Sequence, residues 1–253
     1  MAKIHSSAVI ASTVNIADDV EVGPYSIIHD HVTIDKGCSI GAHTIVHSFT
    51  SIGENNRIFD HVVLGGEPQD ISYSNDQTHL EIGSNNTIRE FVSIHRSTNT
   101  KQATTLGDGC YIMCNTHIGH DCQIGDEVIL TSYVGLSGHV HIGKKAIVGG
   151  SAGVHQFVRI GAYAMVGAFV PVGRDVMPFT LLGRNPVVHY RLNTIGLRRA
   201  GITGDRYREL EKAYRLMRSG NQDEIETTTP ELKLLMEWLN APSKRGLHKF
   251  AQA

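Results

Sequence analysis

Two histidines and a carboxylate fall within the run Asn115-Thr116-His117-Ile118-Gly119-His120-Asp121-Cys122. An imidazole titrates near neutral pH and suits a general base, and an adjacent carboxylate can orient the ring and stabilise its protonated form. His120 beside Asp121 offers that pairing. Zinc is the rival chemistry. His117 and His120 stand three residues apart, a spacing that on β structure sends them in different directions. No neighbouring His, Cys or Asp closes a tetrahedral set, so no metal is expected. The four cysteines, Cys38, Cys110, Cys114 and Cys122, lack zinc-type spacing.

These residues ride on a repeat. From Ile4, every sixth position to Val172 gives 29 frame positions, of which 26 are Ile, Leu or Val; Asp70, Asp76 and Thr100 are the exceptions. A period of six fits neither a helix nor a plain strand, but it fits a short strand and a corner, repeated. Four residues after each aliphatic comes a small or β-branched residue (Ala8, Val14, Val20, Ser26, Val32, Cys38, Thr44), as a narrow interior requires. Cys38, Cys110 and Cys122 occupy such positions, where a thiol is a small apolar filler. Gly often follows the aliphatic directly, at 23, 41, 53, 83, 107, 119, 125, 143, 161 and 167, which suggests a corner needing unusual φ. The architecture predicted is a parallel β-helix, each rung covering the apolar face of the next.

The repeat is expected to form one domain, residues 1–190, with loop insertions at about 65–81 and 96–105. Beyond Val172, Pro171, Pro178 and Pro186 mark an exit, and residues 191–253 read as a helical domain. Leu210, Ala213, Tyr214 and Met217 share one helical face, and Thr229-Pro230-Glu231 reads as an N-cap, an N1 proline and a first-turn acid. The solenoid portion carries 11 Lys+Arg against 17 Asp+Glu, the tail 12 against 8, so the basic cap suggests an acidic partner or phosphates, a solvated face being the commoner source of such an excess. With 19% charged residues and a pI near 6.7, nothing points to nucleic acid. No apolar run approaches the roughly 18 residues of a membrane span, and no signal peptide is evident, so a cytoplasmic location is expected.

Thirteen of the histidines lie in residues 1–176, and none occupies an inward frame position, so core packing does not account for them. Three hexads make one triangular turn, so residues 18 apart stack at about 4.8 Å. That count places His120 in one column with Gly138 and Gln156, with His139 and His155 one residue away on the same strip. His29, His31 and His47 continue the strip on earlier rungs, while His43, His61 and His79 form a second ladder.

The blocks Pro68-Gln69-Asp70, Ile94-His95-Arg96, His117 through Cys122, Leu136-Ser137-Gly138-His139-Val140 and Val154-His155-Gln156-Phe157, with Asn193 and Gly196-Leu197-Arg198-Arg199 in the tail, closely resemble the acyl-ACP:UDP-N-acetylglucosamine O-acyltransferases of lipid A biosynthesis. The resemblance covers nearly the full length. It implies a mainly β fold, a left-handed parallel β-helix with a C-terminal helical domain, assembled as a homotrimer with active sites between subunits. It implies transfer of an R-3-hydroxyacyl group from acyl carrier protein to the 3-hydroxyl of the sugar nucleotide, without cofactor, metal or covalent intermediate. Carried onto this chain, His120 is the general base, Asp121 its support, and Gly138 the backbone N–H donor to the thioester oxyanion. Asp70, His117, His139, His155 and Gln156 become sugar-nucleotide or acyl-chain contacts, Asn193 and Arg199 nucleotide contacts, and Ala168 the acyl-chain ruler.

Two departures remove positive charge from the acceptor side. Ser72 stands where the family usually has lysine, and Ala200 where a third cation follows Arg198 and Arg199. The acceptor is therefore open between UDP-N-acetylglucosamine and its 3-amino analogue. A sibling enzyme that N-acylates an amino sugar should carry an additional N-terminal domain, whereas the repeat here starts at Ile4. A coenzyme A-dependent acetyltransferase and a non-catalytic solenoid are the remaining alternatives; the latter favours regular Thr rows, which the strip around His120 lacks.

Overall fold

The computed structural model describes residues 2–183 and 185–252. Most strands are two residues long: a frame aliphatic and the residue before it, as in His117–Ile118, Gly135–Leu136 and Gly153–Val154. They stack in parallel, His117 on Gly135 and Leu136 on Val154, into three faces of 11, 9 and 8 strands. The frame residues point inward and are buried almost without remainder: Ile94, Ile118, Leu136 and Val154 belong to one continuous core running the length of the stack. Burial of these aliphatics, rather than strand length, stabilises the coil, because a two-residue strand has too few hydrogen bonds to stand alone. Ile4, at the open end, is correspondingly exposed.

The corners differ from the sequence expectation. The glycines at 23, 41, 53, 83, 107, 119, 125, 143, 161 and 167 do not take positive φ, and only Gly65, at the start of the first insertion, does so directly after an aliphatic; the left-handed conformation otherwise falls two residues later, on Asn115, Asp121, Tyr133, His139 and Phe157, at φ between 59° and 66°. What the glycines permit is close approach of coils. A Cβ on Gly119 would lie 2.8 Å from the Leu136 carbonyl oxygen, and one on Gly143 2.5 Å from the Ala162 nitrogen. The second expected histidine ladder is also altered. His43 and His61 stack at 4.9 Å between Tyr25 and Phe91, but His79 meets Phe49 edge-on in another column. The first insertion breaks the count of 18 that would have aligned it.

That insertion leaves the strand Val63–Gly66 and returns at Leu80–Ile82; the second separates Ser93–His95 from Thr104–Leu106. Arg96 anchors the first loop by donating to the Gly65 carbonyl oxygen at 3.0 Å and lying against the Tyr73 ring. After Val172 the chain forms Thr180–Leu182, reverses into the antiparallel strand His189–Leu192, and enters three helices: α1 (Thr194–Arg199), α2 (Gly204–Ser219) and α3 (Pro230–Asn240). Leu210, Ala213, Tyr214 and Met217 of α2 are buried as one face, together with Met177, Phe179 and Leu192 from the end of the solenoid. Thr229 caps α3 by accepting the Leu232 N–H, and the first-turn acid Glu231 is buried in an ion pair with Arg206 of α2. Among the described residues, no helix is long and apolar enough to cross a membrane.

Candidate active site

His120 sits at the corner where the nine-stranded face gives way to the eight-stranded one, and its Nδ1 lies 2.7 Å from Asp121 Oδ2. The pair is sheltered, with side chains 11% and 8% exposed. Asp121 is fixed from outside the repeat. Both its oxygens accept the Thr98 backbone N–H, at 3.1 and 3.2 Å, Oδ2 also accepts the Thr98 hydroxyl at 2.8 Å, and its own N–H donates to Thr104 Oγ1. Burial alone would raise the Asp121 pKa, but the hydrogen bonds from His120 and Thr98 outweigh it and hold the carboxyl below its ordinary value. An ionised carboxylate accepting at Nδ1 leaves the imidazole with Nδ1–H donated and Nε2 free to take a proton.

His139 stands on the next coil, its Nε2 3.7 Å from Asp121 Oδ2 and its ring edge-on to His120 at 5.3 Å. Burial lowers its pKa; Asp121 opposes that, while His120 and Lys244 add to it. Its other face stacks on Phe157 at 4.6 Å. His120, Asp121 and His139 therefore bring three possible ligand atoms within 4.8 Å, a closer metal-like set than the sequence suggested. Two of those atoms are already at hydrogen-bond distance from each other, which is the geometry of a proton dyad.

Gly138 is required by its neighbour: a Cβ there would fall 2.5 Å from His120 Cε1 and 2.6 Å from Nε2. At some equivalent corners the matching N–H is capped by a side chain one coil on, Ala42 by Asp60 at 2.7 Å, Ser84 by Asp108 at 2.6 Å and Asp108 by Asp126 at 3.0 Å. The coil above Gly138 offers Gln156, and among the described residues the Gly138 N–H meets no acceptor.

His120 and Gly138 border a groove of about 580 Å³ that also includes Gln69, His117, His155 and Gln156. His117 and His120 thus line one groove, contrary to the divergence expected from their spacing: His117 projects from the flat of the face and His120 from its corner. His117 Nδ1 pairs with Ser93 Oγ at 3.0 Å, and burial, with His95 and His120 nearby, lowers its pKa to about 4. The floor is cleared by Gly135 and Gly153, outward strand positions where a Cβ would meet nothing within 4 Å. Glycine in a strand weakens it and marks close approach by something else. Sequence reading passed over both glycines, although their outward frame position was a usable signal. Thr98 and Thr104 had none, since an insertion of unpredictable path carries one and precedes the other.

Asp70, at the mouth beside Gln69, is held by the Ser72 hydroxyl and N–H at 2.7 and 2.8 Å, which lower its pKa, and His120 and His139 contribute further. His155 and Gln156 lie on the groove's upper wall. Asn193, Arg199 and Ala168 are elsewhere. Asn193 caps α1 by accepting the Gly196 N–H at 3.2 Å and donates to the Tyr163 carbonyl at 2.9 Å. With Arg199 it borders a second groove over the eleven-stranded face, lined by Ile129, Ile147, Met165 and Leu181. Ala168 is exposed at the corner between the eleven- and nine-stranded faces. Within one chain these three do not meet His120.

Residues 175–248 match the model for domain 2 of UDP-N-acetylglucosamine O-acyltransferase, and residues 103–138 that of the bacterial transferase hexapeptide. The acyl-[acyl-carrier-protein]–UDP-N-acetylglucosamine O-acyltransferase of Thermodesulfovibrio yellowstonii is 42% identical over 257 residues, covering 98% of this chain and 99% of that protein. Its namesake in Paraburkholderia phymatum is 47% identical over 86% of this chain and 83% of that protein. Among solved structures, LpxA from Acinetobacter baumannii superposes with a TM-score of 0.91 at 40% identity, covering 97% of this chain and 99% of that one. The UDP-N-acetylglucosamine acyltransferase of Campylobacter jejuni does so at 0.89 and 31% identity, covering 98% and 100%. With this identity over nearly its whole length, and a hexapeptide solenoid carrying a His–Asp dyad, the chain belongs to the family of acyl-[acyl-carrier-protein]–UDP-N-acetylglucosamine O-acyltransferases.

Proposed function

We propose that this protein transfers an R-3-hydroxyacyl group from acyl carrier protein to the 3-hydroxyl of UDP-N-acetylglucosamine, the first step of lipid A biosynthesis, in the cytoplasm. The observation that carries the reading is the His120–Asp121 dyad at 2.7 Å with the Gly138 backbone against its ring. His120 Nε2 removes the proton from the acceptor hydroxyl as its oxygen attacks the thioester carbonyl. Asp121, ionised and pinned by Thr98, stabilises the imidazolium that results. The Gly138 N–H, which meets no acceptor among the described residues, is free to donate to the oxyanion, and collapse of the tetrahedral adduct expels the carrier thiolate, which takes the proton from the imidazolium. Base, oxyanion donor and positioning suffice for attack on a thioester.

Asp70, His117, His139, His155 and Gln156 bind the sugar nucleotide and acyl chain around this centre. Asn193 and Arg199 lie over a different face, so they reach the nucleotide only if the site is shared between copies of the chain, which favours a homotrimer with inter-subunit sites. Asn193 acts there mainly by capping α1 and so aiming Arg199. Ala168 limits the acyl chain from a neighbouring corner. Residues 1–190 and 191–253 form the solenoid and the helical domain, although Met177 and Phe179 already pack with the latter.

Purified protein assayed with a panel of R-3-hydroxyacyl carrier proteins and with UDP-N-acetylglucosamine beside its 3-amino analogue, products resolved by mass, tests the reading and settles acceptor and chain length together. His120→Ala should lower the rate by about 10²-fold or more while leaving thermal unfolding unchanged. Transfer at the wild-type rate by that variant would overturn the assignment.

A further inference from the structure

The final ten or so residues return to the solenoid as a strap. Asp175 N–H donates to the Gly246 carbonyl at 2.8 Å, and the His248 N–H donates back to Asp175 at 3.0 Å. Deeper in, the buried ring of His189 accepts the Met177 N–H at Nε2 and contacts the His248 carbonyl from Nδ1 at 3.1 Å. Arg159 adds a latch: it pairs with the buried Asp175 at 2.7 Å, donates to the Trp238 and Ala241 carbonyls, and lies over the Trp238 ring. So anchored, the strap sets Lys244 and Arg245 over the upper wall of the groove.

Arg245 meets two groups at once. Its Nη2 lies 2.7 Å from His155 Nδ1 and its Nε donates to the Gln156 carbonyl oxygen at 2.8 Å. A guanidinium has donors only, so His155 Nδ1 must be the acceptor and its proton must reside on Nε2. Without Arg245 the same Nδ1 has another choice, because the Gln156 carbonyl oxygen is 3.3 Å away and would take an Nδ1–H. Lys244 reinforces the strap's hold, its ammonium 4.0 Å from the centre of the Phe157 ring that stacks on His139.

We infer that Arg245 is a positioning residue for the proposed reaction: by occupying His155 Nδ1 and the Gln156 carbonyl, it fixes His155 as the Nε2–H tautomer, a neutral hydrogen-bond donor offered to an oxygen of the bound substrate. The inference rests on the acyl-transfer reading only for which substrate that is. The tautomer itself follows from the guanidinium.

Two readouts on the full chain test it. Ring nitrogen NMR of the 15N-histidine protein, with His155 assigned by its loss in His155→Asn, should show one Nε2–H tautomer. Arg245→Ala should add a second, Nδ1–H population, and Arg245→Lys, which keeps one donor, should largely restore the first. In the transfer assay Arg245→Ala should raise KM by up to about tenfold, the scale of one lost hydrogen bond, with a smaller change in kcat. An unchanged His155 tautomer in Arg245→Ala overturns the inference, as does equal loss of KM and kcat performance in the Ala and Lys variants, which would mark a purely structural strap. If no form transfers an acyl group, the functional reading fails, and the NMR result still decides the role of Arg245.

Discussion

At His120 the local requirement is steric as much as chemical. The ring lies over Gly138 so closely that a single methyl there would occupy the space of Cε1 and Nε2. Gly138→Ala should therefore displace the base and twist the oxyanion donor together, cutting kcat by about 10²-fold or more, comparable with removing either group. Gly138 does not need positive φ, so the melting temperature should change little; an active Gly138→Ala enzyme would show that the ring is not where catalysis needs it. Asp121 occupies a left-handed corner at φ 61°, and its buried carboxylate is satisfied by Thr98 rather than by solvent. A buried charge without such partners would cost several kcal/mol. Sequence placed His120, His139, His155 and Gln156 on one strip because the frame from Leu106 to Val172 is unbroken. It could not supply Thr98, since the 96–103 excursion has no period to count along.

Among the elements, the strap depends on a histidine that stays neutral. Burial, with His248 beside it, lowers the His189 pKa from 6.5 to about 4. The unfolded chain binds a proton below pH 6.5 that the folded chain refuses until about 4. The stability tied to His189 is thus complete above 6.5 and lost as pH falls through 4, with each pH unit crossed between those two values removing about 1.4 kcal/mol. His189→Gln can keep both hydrogen bonds without titrating. Thermal unfolding followed from pH 8 down to about 4 should fall more steeply for wild type than for this variant. Parallel curves would place the acid sensitivity elsewhere. Elements with a strong local signature were legible: α2 buries the face predicted for it, and Thr229-Pro230 opens α3. The reversal at His189–Leu192 and the strap beyond α3 have no such signature, because non-local pairing holds them.

On the molecule the groove with His120 and the groove with Arg199 are separate. A site shared across a trimer predicts complementation. His120→Ala and Arg199→Ala chains, each weak alone, should regain activity when unfolded and refolded together, because about a quarter of the sites in randomly mixed trimers receive both intact residues. No recovery from mixed trimers would mean that each chain completes its own site.

What the sequence by itself determined is the solenoid, because a rigid period of six with inward aliphatics admits one way of burying them, and with it the column that aligns His120 beneath Gly138 and Gln156. Its family motifs named the dyad and, in the groove, His117, His155 and Gln156. Only the tertiary structure decided where the unusual φ falls, what holds Asp121, which coil carries His79 and that Arg245 reaches His155. For the last three the reason is the same: insertions and the C-terminal tail are placed by long-range contacts, and their positions cannot be counted from the repeat, whereas the left-handed corner falls on residues of many types, so no residue type marks it.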